Sequence, residues 1–297
     1  MVGRVGVSGK AGDEKSRGSM GLKQCIIMLH IKVTVYLSVL IFLLFSCSNG
    51  NYKEYLLKGD TALRNNDYSM ALIYFNKAID INQTNPQLFY KKAAALKMLG
   101  KMSLAKNAIN RAIDSSPQNS DYYTLRASIN KELGLNMPAI KDYKEATRLD
   151  PFNVLAYNNL GLLLIKENKL KEASFFIEKV IMLDSTVAQA YNNRGMIKDI
   201  NDDFSGAIED YSKAIQLDSS VTIFYINRAK LYFFINQFEL ANDDVDKALG
   251  IDSLNGYYYY IKSQIYLKKH DTVKACEFYN KATKYGYKSS EQFDLCN

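Results

Sequence analysis

The stretch that decides the fold is Ala188–Val221, AQAYNNRGMIKDINDDFSGAIEDYSKAIQLDSSV. The same 34-residue pattern recurs seven times without a gap over residues 52–289 of this 297-residue chain. A fixed period of this length is typical of repeat proteins, in which one unit cannot bury its apolar face alone and stacks on its neighbours. We therefore predict one elongated repeat domain rather than a single globule.

Two columns of the pattern define a first helix in each unit. An aromatic residue recurs at Tyr55, Phe89, Tyr123, Tyr157, Tyr191, Tyr225 and Tyr259. Four residues later the side chain is always small, at Gly59, Ala93, Ala127, Gly161, Gly195, Ala229 and Ser263. Residues four apart lie on one helical face. We expect the small residue to let a neighbouring helix approach closely, while the aromatic ring fills the remaining space.

Three further columns define a second helix. Alanine recurs at Ala71, Ala105, Ala139, Ala173, Ala207, Ala241 and Ala275, and a bulky residue follows at Phe75, Ile109, Tyr143, Ile177, Tyr211, Val245 and Tyr279. Three residues later stand Ala78, Ala112, Ala146, Val180, Ala214, Ala248 and Ala282. A polar break, Asn201–Asp203, separates the two helices of the quoted unit and offers an aspartate as the N-cap of the second helix.

These columns resemble those of the tetratricopeptide repeat family over about four-fifths of the chain. The resemblance implies an all-α fold, a right-handed α-solenoid of seven antiparallel helix pairs. The seven repeats are predicted at 52–85, 86–119, 120–153, 154–187, 188–221, 222–255 and 256–289. Two departures are modest: tryptophan is absent, and the proline that ends a repeat survives only at Pro117 and Pro151.

The segment before the repeats predicts export and a lipid anchor. Residues 1–22 are rich in glycine, serine and charge, which predicts a disordered leader or a wrongly assigned start. Residues 23–47 contain 14 uncharged, mostly apolar residues, too few for a membrane-spanning helix of about 20. They end in Leu44-Phe45-Ser46-Cys47, which resembles the lipobox of bacterial lipoproteins and implies acylation of Cys47. The alternative is an ordinary signal anchor with an incidental cysteine.

Residues 48–51 form a short polar tether in this interpretation, and the expected location is the periplasmic side of a bacterial membrane. Ser48 rather than aspartate follows the cysteine, which by the usual sorting rule of such lipoproteins favours the outer membrane. The chain carries a net charge of +7; residues 1–47 hold six basic and two acidic residues, so only +3 remains for residues 48–297. This near balance argues against a nucleic-acid partner.

The C-terminal end predicts a cap for the last repeat. Residues 289–297 form a candidate capping helix, in which Phe293 and Leu295 can cover an apolar face. Cys276 and Cys296 are expected to lie at similar distances from a turn near Gly286, so they could form a disulfide in an oxidising compartment. Two buried thiols that fill the cap are the alternative.

No constellation in the sequence points to catalysis, and we predict no enzyme activity, no metal and no cofactor. His270 is the one histidine after Cys47, and it follows two lysines in a predicted turn. A nucleophilic site needs a base that a third group holds in place. Acidic pairs such as Asp202-Asp203 and Asp243-Asp244 are explained by capping and solvation.

The family resemblance implies that the first helices line a concave groove, and asparagines recur there. Asn159, Asn193 and Asn227 stand at intervals of 34, with Asn158 and Asn192 beside the first two. Asparagine is a poor residue inside a helix, and its amide matches a peptide bond with a donor and an acceptor. The row is similar to the asparagine ladder of some peptide-binding members of the family. Packing between helices is the alternative.

The remaining candidate partner-binding residues are Met196, Lys230, Phe233, Tyr257 and Tyr260. Together the features predict a lipid-anchored scaffold that binds an extended peptide or a partner protein in the groove, with no small-molecule substrate. Two alternatives stay open: a structural lipoprotein that helps assemble an outer-membrane or pilus complex through other surfaces, and an enzyme of unrecognised type.

Overall fold

The computed structural model describes Gly3 and residues 52–288. Residues 52–288 form fourteen helices, and no strand occurs among them. The helices are α1 (residues 52–64), α2 (Tyr68–Ile81), α3 (Pro86–Met98), α4 (Met102–Ser115), α5 (Ser120–Glu132), α6 (Asn136–Leu149), α7 (Val154–Lys166), α8 (Leu170–Leu183), α9 (Ala188–Ile200), α10 (Phe204–Leu217), α11 (Thr222–Phe234), α12 (Phe238–Ile251), α13 (Gly256–Lys268) and α14 (Thr272–Lys284).

Each predicted repeat contains one pair of these helices, so the prediction of an all-α helical repeat is confirmed. Helices α1–α4 belong to one compact unit and α5–α14 to a second, which we call the C-terminal unit. Within the C-terminal unit each second helix packs on the next first helix, as α6 does on α7. First helices also contact one another directly, in the pairs α7–α9, α9–α11 and α11–α13. Helices α7, α9, α11 and α13 therefore form a continuous layer of their own.

Where the small residue of the first helix is a glycine, it packs against the bulky residue of its own second helix, as the sequence predicts. A Cβ atom added to Gly195 would lie 2.8 Å from the ring of Tyr211, which is almost fully buried. At Gly161 it would lie 2.4 Å from the side chain of Ile177. The two helices thus approach more closely than larger side chains would allow, and the bulky side chain closes the core.

The turn inside each pair contains one residue in the left-handed region. These residues recur at intervals of 34, as Asn66, Gly100, Gly134, Asn168, Asp202, Asn236 and His270, with φ between 55° and 72°. Glycine, asparagine and aspartate tolerate this region better than other residues. Asp203 then caps α10, and its side chain accepts a hydrogen bond from the backbone N–H of Gly206, which confirms the predicted cap.

Ion pairs with buried aspartates and partly exposed arginines join the two helices of three repeats. The guanidinium groups of Arg126, Arg194 and Arg228 each donate two hydrogen bonds, of 2.6–2.9 Å, to Asp142, Asp210 and Asp244 respectively. The interpretation of Asp244 as a capping or solvated carboxylate is therefore wrong, because it is buried and bound by Arg228. The neighbouring Asp243 is exposed, as expected.

Several predictions concern residues outside the described part of the chain. They are the leader at 1–22, the signal peptide at 23–47 with Cys47, the tether at 48–51, and the capping helix at 289–297 with Cys296. Cys276 is disulfide-bonded, and its predicted pairing with Cys296 stays a prediction. Among residues 52–288 no helix is long and apolar enough to span a membrane.

Candidate functional site: the inner face of the first helices

The inner face consists of the second, sixth, ninth and thirteenth residues of each first helix of the C-terminal unit. Every first helix from α5 to α13 has 13 residues, and spacings of four and three put these positions on one side. The other sides are occupied. In α11 the third and tenth residues, Phe224 and Leu231, are buried against the preceding repeat. The small eighth residue contacts the second helix, and the fourth stacks there in pairs such as Tyr157 and Phe176.

The inner face holds the following residues: Asp121, Leu125, Ser128 and Glu132 on α5; Leu155, Asn159, Leu162 and Lys166 on α7; Gln189, Asn193, Met196 and Ile200 on α9; Ile223, Asn227, Lys230 and Phe234 on α11; Tyr257, Ile261, Gln264 and Lys268 on α13. The face mixes amides, apolar and charged side chains: its second position is apolar on α7, α11 and α13, and its thirteenth position is apolar on α9 and α11.

Four of the predicted asparagines form two bridges between neighbouring first helices. Asn193 donates to the side-chain oxygen of Asn158 at 3.0 Å, and Asn227 donates to that of Asn192 at 2.9 Å. Each bridge joins the sixth residue of one helix to the fifth residue of the preceding first helix. Asn192 and Asn193 are buried, with exposures of 6% and 3%. The structure thus uses these amides to connect repeats, and the two at the centre do not line a row open to solvent.

Asn159 differs from the bridging asparagines. It is half-buried, and its amide donates to the backbone carbonyl of Leu155 in its own helix at 2.9 Å. Met196 is also half-buried, and its sulfur lies 3.7 Å from the amide nitrogen of Asn192. The sulfur contact is a weak hydrogen bond. Both side chains remain partly accessible on the inner face.

Lys230 is exposed and faces Asp199, the twelfth residue of α9. Burial raises the pKa of the Asp199 carboxyl, while the charge of Lys230 and a hydrogen bond from the Tyr211 hydroxyl oppose that rise. Burial also raises the pKa of Tyr211, so its hydroxyl stays protonated and can donate to Asp199. This carboxylate is therefore engaged within the fold, and Lys230 presents the accessible charge.

The aromatic predictions divide between core and surface. Phe233 is half-buried and contacts Phe238, with ring centroids 5.8 Å apart. Its neighbour Phe234 is 66% exposed and meets Phe204 edge-to-face at 5.3 Å. Phe234 therefore belongs to the inner face in place of Phe233. Counting from the first residue of the helix would have identified it, because residues 2, 6, 9 and 13 share a side.

Two predicted tyrosines lie together at the end of the C-terminal unit. The ring of Tyr260 stacks on that of Tyr287 at 4.5 Å, and Tyr257 lies 5.8 Å from the same ring. Tyr260 is half-buried and Tyr257 is exposed, whereas Tyr258 is buried and donates to Thr222 at 2.8 Å. Tyr257 is thus the accessible tyrosine of the inner face.

The residues with possible catalytic or metal-binding chemistry do not converge. His270 is exposed in the turn between α13 and α14. Within residues 52–288 no three His, Cys, Asp or Glu side chains lie close enough to hold a metal ion. What the inner face offers is hydrogen bonding by amides, apolar contact and lysine charge.

Comparison with known proteins agrees with this geometry. Family models described as tetratricopeptide repeat match residues 55–85, 120–153, 188–220 and 142–173. The TPR repeat-containing protein MJ1428 of Methanocaldococcus jannaschii is 31% identical over 131 residues, which are 44% of this chain and 23% of that protein. Heat shock protein STI1 of Saccharomyces cerevisiae is 32% identical over 108 residues, 36% of this chain and 18% of that protein. The matches span about a fifth of the length of these curated relatives.

Solved structures share the fold at low identity. A tetratricopeptide repeat protein from Parabacteroides merdae has a TM-score of 0.66 at 20% identity, covering 83% of this chain and 98% of that one. PilW, described as a widely conserved type IV pilus biogenesis factor, has a TM-score of 0.64 at 17% identity, with 71% and 96% covered. A chain of the APC/C hetero-tetramer Cut9–Hcn1 has a TM-score of 0.68 at 16% identity, with 83% and 52% covered.

The 34-residue period, the packing of small against bulky columns and the matches of the family models lead to one conclusion. The helix pairs of residues 52–288 have the packing of tetratricopeptide repeats, and family models identify such repeats at residues 55–85, 120–173 and 188–220.

Proposed function

We propose that the protein is a lipid-anchored scaffold of the bacterial cell envelope, and that the inner face of its C-terminal unit binds an extended segment of a partner protein. The observation that carries this proposal is the recurrence of exposed large apolar side chains at two inner-face columns. Single exposed hydrophobic residues are common on any protein and need no explanation. Their repetition at equivalent positions of several first helices is a better indication of a binding surface.

The apolar side chains form two rims. At the second position Leu155, Ile223 and Tyr257 are 61%, 47% and 38% exposed. At the thirteenth position Ile200 and Phe234 are 52% and 66% exposed. A segment that lies between the rims would bury these side chains, and each fully buried large apolar side chain contributes about 1.5–3 kcal/mol. Aromatic anchors such as Phe234 and Tyr257 are typical of the residues that dominate binding energy.

Amide groups between the rims supply hydrogen bonding. In the bridge from Asn193, the half-buried Asn158 accepts through its side-chain oxygen. The two N–H donors of Asn158 are therefore not part of that bond. The bridge from Asn227 uses one of its N–H groups, so its oxygen is likewise outside the bond. These groups, with Asn159 and Gln264, match the donors and acceptors of a peptide backbone.

The anchor is inferred from the sequence before the repeats. An apolar run that ends in Ser46-Cys47, followed at once by polar residues, fits an exported protein acylated on Cys47. The folds of PilW and of Pseudomonas aeruginosa PilF, which resemble this chain with TM-scores of 0.64 and 0.61, are compatible with a role in the envelope. Acyl chains on the cysteine would hold the protein firmly on a membrane surface.

Site-specific photocrosslinking in the native cell tests the groove. A photoreactive amino acid at Ile223 or Phe234 should form an adduct with a partner protein. The matched control is Leu240, which is 46% exposed but lies on the second helix α12. Adducts at Leu240 alone, with none at the inner face, would refute the groove as the binding surface. Adducts at the inner face would be lost in a second variant that also carries Ile200→Glu.

A second candidate function is assembly through the outer surface. Phe175 and Met182 lie seven residues apart on α8, which puts them on one side of the helix, and they are 56% and 74% exposed. A partner on this side would make the protein a structural component of an assembly rather than a groove binder. Photoreactive residues at Phe175 and Met182 would then form the adducts, and inner-face substitutions would have no effect.

A further inference from the structure

The charged residues of the inner face are sorted by sign along the C-terminal unit. Helix α5 contributes two exposed acidic side chains, Asp121 and Glu132. The helices that follow contribute exposed lysines: Lys166 on α7, Lys230 on α11 and Lys268 on α13. Within the described residues none of these three lysines is part of an ion pair of 4 Å or less. One end of the face is therefore negative and the other end is positive.

Two further charged groups lie beside the inner face, at the twelfth helical position, and neither removes this gradient. Asp199 on α9 is half-buried, accepts a hydrogen bond from Tyr211 and faces Lys230. Lys131 on α5 is also half-buried, and its single charge offsets only one of the two acidic charges that α5 contributes. Asp199 can offset part of the charge of Lys230, but the exposed Lys268 stands one repeat further along.

We propose that the segment bound by the inner face lies in one fixed direction. Its acidic side chains lie over α11 and α13, its basic side chains lie over α5, and large apolar side chains between them contact Leu155, Ile200 and Phe234. This inference rests on the proposed function and adds to it the chemistry of the partner. Charge complementarity contributes more to selecting partners and orientation than to raw affinity, because like charges placed together disfavour the wrong arrangement.

The length of the segment follows from helix packing. Packed helices lie about 8–10 Å apart, so the four steps from α5 to α13 span about 32–40 Å. An extended chain advances about 3.3 Å per residue. About 10 to 12 residues therefore bridge the acidic and basic ends of the face, and a peptide of 16 residues is long enough to contact both.

A phage-displayed library of random 16-residue peptides, selected against the purified full chain in detergent, tests the proposal. The wild-type protein should enrich peptides with acidic residues towards one end, basic residues towards the other and large apolar residues between. The double variant Lys230→Glu with Lys268→Glu should enrich peptides that carry basic residues where the wild type selects acidic ones, with the other end of the peptide unchanged. The double variant Asp121→Lys with Glu132→Lys should enrich peptides that carry acidic residues where the wild type selects basic ones, again with the other end unchanged. Reversing the charge order of an enriched peptide should weaken its binding about tenfold.

Lys171→Glu with Lys247→Glu is the matched control, because both lysines are exposed on second helices, α8 and α12. This variant should enrich the same peptides as the wild type. If the wild type enriches no peptide at all, the proposed function fails. Another outcome is that the wild type enriches peptides whose binding requires Phe234 but whose charges are unsorted, or are the same after the charge reversals. That result would support binding in the groove and would overturn the directional inference.

Discussion

The buried ion pair between Arg228 and Asp244 gives the sharpest test of how the repeats hold together. Asp244 accepts from the Nε and Nη2 atoms of Arg228 at 2.8 and 2.7 Å, which fixes α11 against α12. A third donor of Arg228 reaches the hydroxyl of Ser212 on α10 at 2.8 Å, in the preceding repeat. One guanidinium thus connects three helices, and Asp244→Asn should loosen all of them while keeping the side chain's shape.

The magnitude follows from the burial of the two groups. A hydrogen bond to a charged group contributes about 1.5–3 kcal/mol, and breaking a fully buried pair costs about 3–5 kcal/mol. The carboxylate of Asp244 is only 7% exposed, but the side chain of Arg228 is 19% exposed and keeps some contact with water. We therefore expect Asp244→Asn to lower the free energy of unfolding by about 2–3 kcal/mol. In a unit of this size that corresponds to a fall in Tm of about 5–10 °C.

Asp243→Asn is the matched control, since it makes the same chemical change one residue earlier on an exposed side chain. Its effect should stay within about 0.5 kcal/mol. Thermal and urea unfolding followed by circular dichroism measure both variants. Hydrogen exchange should show the loss of protection concentrated in α10, α11 and α12, because repeats interact only with neighbours. Equal effects of the two substitutions would refute the assignment of Asp244 to the core.

Three other predictions concern packing, charge and anchoring. Gly195→Leu should lower the free energy of unfolding, measured in urea, by about 2–3 kcal/mol, because a Cβ atom there would already lie 2.8 Å from the Tyr211 ring. Gly250→Leu is the control, since a side chain there meets open space and should not destabilise the protein. Burial raises the pKa of Asp199, which means that the folded state favours the protonated carboxyl. The stability gained from this preference is fully present below the pKa of the unfolded state and is lost as pH rises through the pKa of the folded state. Asp199→Asn should therefore raise the urea midpoint at pH 7 and leave it unchanged at pH 3. Cys47→Ala should abolish the acyl-chain mass in intact-mass spectra of the membrane fraction; an unchanged mass would exclude lipidation at that residue.

The helical pairs and their core could be predicted because period and spacing encode them directly. The columns of Gly195 and Tyr211 lie 16 residues apart, and any hairpin built on a 34-residue period brings such positions together. The ion pair of Asp244 depends on the same spacing, but the sequence pattern did not indicate it. Its partner Arg228 lies 16 residues earlier on the other helix, and the same spacing joins Arg194 to Asp210. The exposed Asp243 beside it made the pair resemble two solvated carboxylates.

The register between repeats could not be predicted from the period. A period of 34 shows that Asn159, Asn193 and Asn227 are equivalent positions, but equivalent positions need not touch. The observed bonds join residues 35 apart, because the sixth residue of one first helix meets the fifth residue of the preceding one. Likewise, Phe233 and Phe234 differ by about 100° around the helix axis, and only the packing of α11 decides which of them is exposed.

The bridges change what kind of recognition the inner face can perform. A row of open amides would hold the backbone of any extended chain, with little dependence on its sequence. Asn192 and Asn193 are instead buried and bonded across repeats, which removes the central amides from the surface. The accessible groups are the apolar rims and the sorted charges, which contact side chains, together with a few partly accessible amides such as Asn159 and Gln264. Binding should consequently depend on the sequence of the partner segment, with the asparagines holding the first helices at the spacing that the rims require.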